Sequence, residues 1–362
     1  MFKTILIFFL FWPYIVLGQF QVTGKVVDKA DQKPIPGASV FLSNASVGTA
    51  TSPEGNFTLS NVRGGQYELV VSIVGYETYR QQIMVAENLS LATIQITIRI
   101  SRLNEVTISP NAEWEHNYAM FKEEFLGVSV YAQDCKILNP EVLDLQYEKI
   151  GRVLSASSQD FLIIENNALG YRVKYLLNNF EKNYNEGSLY YTGSASFEDL
   201  QGKKSLLKRW TRNRLAVYKG SSMHFLRSVI ADRVKEEGFQ VLRLVRKPNP
   251  KYTGYGDKFI DAVDAHPLLT NAYAKPTDKK GLFVLTFDDC LFVKYNGGRR
   301  FTDESTNEAG FGLINTTITF DKPYAAFDNN GIFIDPAATS FNGAWGRSRM
   351  ASLLPVDYEP GN

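Results

Sequence analysis

The chain has 362 residues, enough for two domains with separate cores and long for one. Thirty-nine Lys plus Arg against 38 Asp plus Glu leave a formal charge of +1, which removes the cation excess that draws a protein to nucleic acid. Apolar residues make up 44% and charged residues 21%, which excludes global disorder, and 24 Phe with 19 Tyr favour strand-rich structure.

Lys3 is the only charge in residues 1–18, and residues 5–17 are nearly continuously apolar. Gly18, with Val16 two positions earlier, offers a signal-peptidase site before Gln19. The run is too short for a permanent span, and no Cys stands near the cleavage point to be acylated. No later stretch reaches 18 uninterrupted apolar residues. The expectation is an exported protein, periplasmic or associated with the outer membrane, without a transmembrane span in the mature chain. The absence of a barrel-strand pattern and of a terminal aromatic speaks against a membrane barrel.

From residue 21 short strands alternate with turn residues. Strands are predicted at 21–28, 38–43, 57–59, 67–74, 83–85 and 94–100, separated by KADQKPIPG (29–37), SPEGN (52–56), Gly64-Gly65 and Gly75-Tyr76. Strands about ten residues apart, with no helical period among them, specify a sandwich or barrel. The order G-K-V-V-D (24–28), P-I-P-G-A-S-V-F-L (34–42), G-T-A-T-S-P-E-G-N-F (48–57) and V-R-G-G-Q-Y-E-L-V-V-S-I-V-G-Y (62–76) resembles the carboxypeptidase-regulatory-like domain. That resemblance implies an all-β transthyretin-like or immunoglobulin-like sandwich over residues 19–102. The module is appended to zinc carboxypeptidases and precedes the plug of many outer-membrane receptors in Gram-negative bacteria. This chain has Ser52-Pro53 where the family commonly has Asp after the hairpin Thr, so any role of a carboxylate there is not carried over.

Residues 103–116 are polar and contain Pro110, and are assigned as a linker. Beyond it, residues 117–362 read as an α+β domain, mostly antiparallel sheet with a helical pair packed on it. Strands are predicted at 143–149, 153–157, 161–165, 171–181, 189–197, 241–245, 282–287, 291–295, 315–320 and 332–334. Helices are predicted at 206–218, with Leu207, Trp210, Leu215, Val217 and Tyr218 on one side, and at 221–237, with a Met223/Leu226/Ile230/Val234 stripe ended by Gly238. F-L-G (125–127), C-K-I-L-N-P-E-V-L (135–143), I-I-E-N-N-A-L-G-Y-R-V-K-Y-L-L (163–177), G-S-S-M-H-F-L-R-S (220–228) and S-L-L-P-V-D-Y-E-P (352–360) resemble exported bacterial proteins known only by their regulatory-like first domain. That second resemblance implies no particular activity.

His116, His224 and His266 begin no H-x-x-E and no H-E-x-x-H, so the zinc chemistry of the carboxypeptidases has no visible ligand set and no metal or cofactor is expected. Ser205 and Lys208 fit S-x-x-K, a pattern short enough to arise by chance, and read more simply as a helix cap with an exposed lysine. Asp288 and Asp289 are adjacent, so in a strand they point to opposite faces and cannot form a glycosidase pair. Cys135 and Cys290 either pair, closing a long loop, or stand as two buried thiols. Trp210, Trp345, Tyr190 and Tyr191 either form a carbohydrate-stacking platform or fill the sheet core and its rim. The cluster Lys203, Lys204, Lys208, Arg209, Arg212, Arg214 and Lys219 is either a solvated helix face or a docking surface for an acidic partner.

With no assembled catalytic constellation, the expected function is that of a non-catalytic cell-envelope protein binding a partner protein or an envelope polymer, the sandwich serving to dock or position. A hydrolase of envelope peptide or glycan working through residues 117–362 is the alternative, and a carbohydrate-binding protein the second.

Overall fold

The computed structural model describes residues 19–99, 112–254, 256, 259–297 and 314–361. The leader at 1–18 and most of the expected linker lie outside the described residues.

The first unit is a sandwich of two four-stranded sheets. Its strands are β1 (Gln19–Asp28), β2 (Ser39–Leu42), β3 (Gly48–Ala50), β4 (Asn56–Arg63), β5 (Gly65–Ser72), β6 (Tyr79–Val85), β7 (Leu89–Ser90) and β8 (Ile94–Ile96). One sheet orders β4-β1-β7 with β8 also on β1, the other β3-β2-β5-β6. Gly55 at φ +77 makes the SPEGN turn: a Cβ there would meet the Val26 carbonyl oxygen at 2.4 Å, so only glycine closes this hairpin. Val22, Val26, Val40, Leu42, Leu59, Leu69, Val71 and Val85 meet between the sheets. In β5 the burial runs Leu69-Val70-Val71 without alternation, because Val70 leaves the sandwich core and packs outward with Phe41 against Leu176 of the second domain.

The second domain begins five residues before the expected boundary. Ala112–Leu126 is a helix, α1, so the last residues assigned to the linker are helical. Trp114 stacks on Tyr118, and Phe121 and Phe125 stack on each other and meet Phe180, Tyr175 and Tyr191 edge-on. These rings cover one face of a six-stranded sheet. It is formed by β9 (Cys135–Ile137), β10 (Leu143–Glu148), β11 (Val153–Ser158), β12 (Leu162–Asn166), β13 (Tyr171–Asn183) and β14 (Ser188–Asp199). The two expected helices follow as α2 (Lys204–Tyr218) and α3 (Ser222–Ile230). Then come β15 (Phe239–Pro248), β16 (Phe259–Pro267), β17 (Ala274–Pro276), β18 (Leu282–Leu285), β19 (Cys290–Tyr295), β20 (Ile314–Phe320), β21 (Ala325–Asp328) and β22 (Thr339–Gly343). They form a five-stranded sheet, β16-β15-β19-β20-β22, and a three-stranded one, β17-β18-β21, which share a core with α3. The segment expected as a strand at 332–334 holds only an isolated bridge between Phe327 and Phe333.

The helix expected to run to residue 237 stops at Ile230. Asp232 adopts φ 51; its N–H donates to the Val229 carbonyl at 3.1 Å and the Arg233 N–H donates to the Ser228 carbonyl at 2.9 Å. This is the paired 5→2 and 6→1 arrangement that ends a helix, with Asp where glycine is usual. Val234 still packs on the same core from the turns that follow, which kept the apolar stripe running past the helix end. Asp232→Gly is therefore expected to raise stability by about 0.5–1 kcal/mol, by relieving the left-handed conformation. A chemical-denaturation midpoint that stays level or falls contradicts this.

Candidate functional site

The chain's end crosses between the two domains. Met350, Ala351, Leu354 and Tyr358 belong to the core under the six-stranded sheet, whereas Val356 belongs to the sandwich core. Arg227 of α3 holds this tail. Its guanidinium donates to the carbonyls of Asn330 at 2.9 Å, Tyr358 at 2.8 Å and Val356 at 2.8 Å, and packs over the Tyr218 ring. Asn166 donates to the Ala351 carbonyl at 3.0 Å, and Asp357 accepts from the Ser46 N–H at 3.0 Å. Glu359 pairs with Arg63. Arg227→Lys keeps the charge but offers one compact ammonium where three carbonyls need a planar fork. With charge-assisted bonds contributing about 1.5–3 kcal/mol each, the variant is expected to lose about 2–4 kcal/mol and to exchange amide hydrogens faster at 356–358. Protection there that matches the wild type would contradict the clamp.

The β2–β3 turn plugs onto the edge of β14. Asn44, at φ 61, donates its N–H to the Ala195 carbonyl at 2.6 Å and accepts the Val356 N–H at 2.7 Å. The Phe197 N–H donates to the Ala45 carbonyl at 3.0 Å, and Ala45 pairs in parallel with Ser196.

Along this seam runs a groove in two compartments. One, of about 580 Å³, has Glu77, Thr78, Arg80 and Arg99 from the sandwich on one wall and Ser157, Gln159 and Asn178 on the other. The second, of about 260 Å³, is lined by Gln66, Glu68 and Gln82 against Thr192, Ser194 and the 328–336 segment. The two meet at Asn178, which lines both. Asn178 is the extra residue where the β13–β14 register shifts between Leu177 and Asn179. The bulge turns its amide across the seam to accept from Arg80 Nη2 at 2.7 Å. Ser194 donates to Glu68 at 3.1 Å, and Arg99 donates to the Gln159 carbonyl at 3.3 Å. Asp328, at the groove floor, accepts from the N–H groups of Asn330 and Ile332, yet burial pushes its carboxyl above the usual range. Burial pushes the neighbouring Tyr67 phenol up to about 12.

The residues singled out in the sequence are dispersed. Cys135 on β9 and Cys290 on β19 lie in different sheets as free buried thiols, so the pairing alternative is not realised; burial pushes the Cys135 thiol up to about 12. Trp210 is 4% exposed, its ring packed on Gly170, and Trp345 is 9% exposed with its indole N–H donating to the Gly220 carbonyl at 2.7 Å. Tyr191 stacks among Phe125 and Phe180, and Tyr190 alone of the four shows its ring to solvent. The four-residue platform is therefore not assembled, since three of its rings are packing groups. The basic helix divides as well. Arg209, Trp210, Asn213 and Arg214 donate to the four consecutive carbonyls of the 167–170 turn, Arg214 also binding Asp199, while Lys203, Lys204, Lys208, Arg212 and Lys219 remain exposed. Asp289 is bound by Arg243. Among the described residues no group of three or more His, Cys, Asp and Glu is placed to hold a metal ion.

His224 is caged by Tyr218, Phe239 and Tyr295. The Gly220 N–H donates to Nδ1 at 3.1 Å, which leaves the ring proton on Nε2 facing Glu237 at 3.3 Å. Burial lowers its affinity for a second proton, against the opposing pull of Glu237 and with Lys219 and Arg227 adding to the lowering. The unfolded chain, titrating near 6.5, binds that proton more readily. Stability from this site is thus complete above about pH 6.5 and declines as pH falls toward the depressed folded value. A His224→Gln variant should show a flatter melting-temperature profile than the wild type between about pH 7 and pH 5; parallel profiles would refute the cage.

Residues 22–108 match the CarboxypepD_reg-like domain. The sandwich is a carboxypeptidase-regulatory-like domain. No curated protein matches the chain. Among solved structures, a cohesin–X-dockerin complex from Acetivibrio cellulolyticus aligns at 20% identity over 21% of this chain and 56% of that one, with a TM-score of 0.20. A group B streptococcus pilus 2b backbone protein aligns at 19% identity over 22% of this chain and 42% of that one, also at 0.20. The chain thus spans about half the length of these proteins, and at such scores they carry no argument about it. The regulatory-like domain supplies the groove wall bearing Arg80, in β6, and Arg99, beyond β8, and sequence reasoning passed over both because a lone Arg carries no local signal.

Proposed function

We propose that this is an exported, non-catalytic envelope protein that holds an envelope polymer in the groove between the regulatory-like domain and the second domain. The observation that carries the reading is that one groove is walled by hydrogen-bonding side chains from both domains and bridged by the Arg80–Asn178 bond. Sites at domain seams are common places for ligands. The regulatory-like domain acts here as a positioning module, fixing Thr78, Arg80 and Arg99 opposite Ser157 and Asn178. Of the groups singled out for chemistry, His224 is held in its cage, Asp289 by Arg243 and the Cys135 thiol by burial.

The test is retention of the mature chain on affinity gels carrying peptidoglycan, polygalacturonate, chitin or dextran. Arg99→Ala combined with Thr78→Trp removes one donor and fills the larger compartment, and is expected to weaken binding about tenfold or more. Wild-type binding to none of the polymers, or equal binding by wild type and variant, would overturn the reading.

A further inference from the structure

Helix α2 presents a row of cations that no carboxylate answers among the described residues. Between Asp199 and Asp232 the chain has no acidic residue and eight Lys and Arg. Three of these turn inward: Arg209 binds the Asn167 carbonyl, Arg214 binds Asp199 and Arg227 holds the tail. The other five, Lys203, Lys204, Lys208, Arg212 and Lys219, are exposed, and the ion pairs of the helix among the described residues are those of Arg209 and Arg214 alone. At about 100° and about 1.5 Å per residue, Lys204, Lys208, Arg212 and Lys219 fall within about 80° of one another, in a row about 22 Å long. Leu207, expected on the inner stripe, is 49% exposed at the margin of this row. The row costs the helix stability. Lys204 with Lys208 and Lys208 with Arg212 are like charges four residues apart, and Lys203 and Lys204 sit at the positive end of the helix dipole. A face that served only solubility would intersperse both signs.

We infer that the outer face of α2 is a docking surface for a membrane of anionic phospholipid. A convex face with four lysines among its five cations has no pocket to enclose a small anion and no paired guanidinium forks to select one. It suits a flat, diffuse field of negative charge. The two rings of α2 that could anchor a protein partner, Trp210 and Tyr218, are buried on its inner side. Leu207 beside the lysines can enter the headgroup region while their ammonium groups stay with the phosphates. The chain as a whole carries only +1, so the attraction is confined to this face and orients the protein on the surface. No residue of α2 lines either compartment of the groove, so the inference stands apart from the groove reading.

The test is flotation of the full mature chain with vesicles of phosphatidylglycerol and phosphatidylethanolamine in equal parts, against vesicles of phosphatidylcholine. The wild type is expected to float with the first and not the second, and to be released when salt rises from about 50 mM to about 300 mM. Each cation near such a surface contributes about fivefold in affinity, so Lys208→Gln is expected to lose about fivefold and Lys204→Gln/Lys208→Gln/Arg212→Gln/Lys219→Gln at least about a hundredfold. Lys204→Arg/Lys208→Arg/Lys219→Arg keeps the charge and is expected to bind within about twofold of the wild type. The melting temperature of the glutamine variant should equal or exceed that of the wild type, because the like-charge repulsion is gone, which separates lost binding from lost folding. No flotation of the wild type with the anionic vesicles, equal flotation with phosphatidylcholine, or undiminished flotation of the glutamine variant would each overturn the inference. Retention on immobilised polyglutamate without flotation would assign the face to an acidic polypeptide and overturn it as well.

Discussion

The tail that links the two domains is held by one half-buried guanidinium. Arg227 binds three carbonyls that come from two separated stretches of chain, Asn330 before β22 and Val356 and Tyr358 in the tail. A tail lying between two domains has backbone groups with no strand to pair with, and each left without a partner costs more than a made bond contributes. Arg227 with Asn166 and Asn44 takes up those groups, and only then can Val356 reach the sandwich core from the second domain. The same carbonyls that are orphans of an irregular tail become the glue of a domain seam.

The seam itself is mostly polar. Its apolar contacts are the small patch of Phe41, Val70 and Leu176 with Phe161, and Val356 with Ile332 against the sandwich core, while Asn44, Ser46, Glu68 and Arg80 carry bonds across it. That division explains why a groove persists there. Apolar walls would close on each other to exclude water, whereas walls of Gln, Ser, Thr and Arg lose little by staying hydrated. The Asn178 bulge then fixes their separation at one point, since the extra residue in β13 turns its side chain to meet Arg80.

Much of the sandwich was legible, because its signals are local: turn residues at fixed offsets and alternation between them. Even its departure from alternation was written in the chain, since E-L-V-V-S and S-V-F-L are apolar on both faces, and both faces are covered. The second domain was legible only where burial is one-sided. Helix α1 carries Trp114, Tyr118, Phe121 and Phe125 at helical spacing, but polar sequence and Pro110 placed its first residues, up to 116, in the linker. β16 is exposed along all nine residues, so it offered no alternation to find. Trp210 and Trp345 could not be told from surface rings, because what buries them, the 167–170 turn and the α2–α3 elbow, is distant in sequence. The five segments that stood out in the second domain prove to meet one another. The 220–228 segment supplies Arg227, the 352–360 segment two of its three acceptors, the 163–177 segment Asn166, and Asn139 of the 135–143 segment brackets Phe161 and Ile163. At the end of the remaining segment, Gly127 lets Arg349 pass where a Cβ would sit 2.8 Å from it.

That convergence bears on how the groove can work. A polar groove binds a flexible polymer only by exchanging ordered water for ligand hydroxyls, a trade with little enthalpy in surplus. Affinity then turns on how little the protein must order when it binds. Walls belonging to two loosely tethered domains would have to be brought together at each encounter, and the cost would consume most of the gain. With Val356 inserted in one core, its neighbours Leu354 and Tyr358 in the other, and Arg227 holding the link between them, the walls are already in place before a ligand arrives. The interactions that make the seam rigid are therefore the same ones that make a groove of modest polar side chains worth occupying.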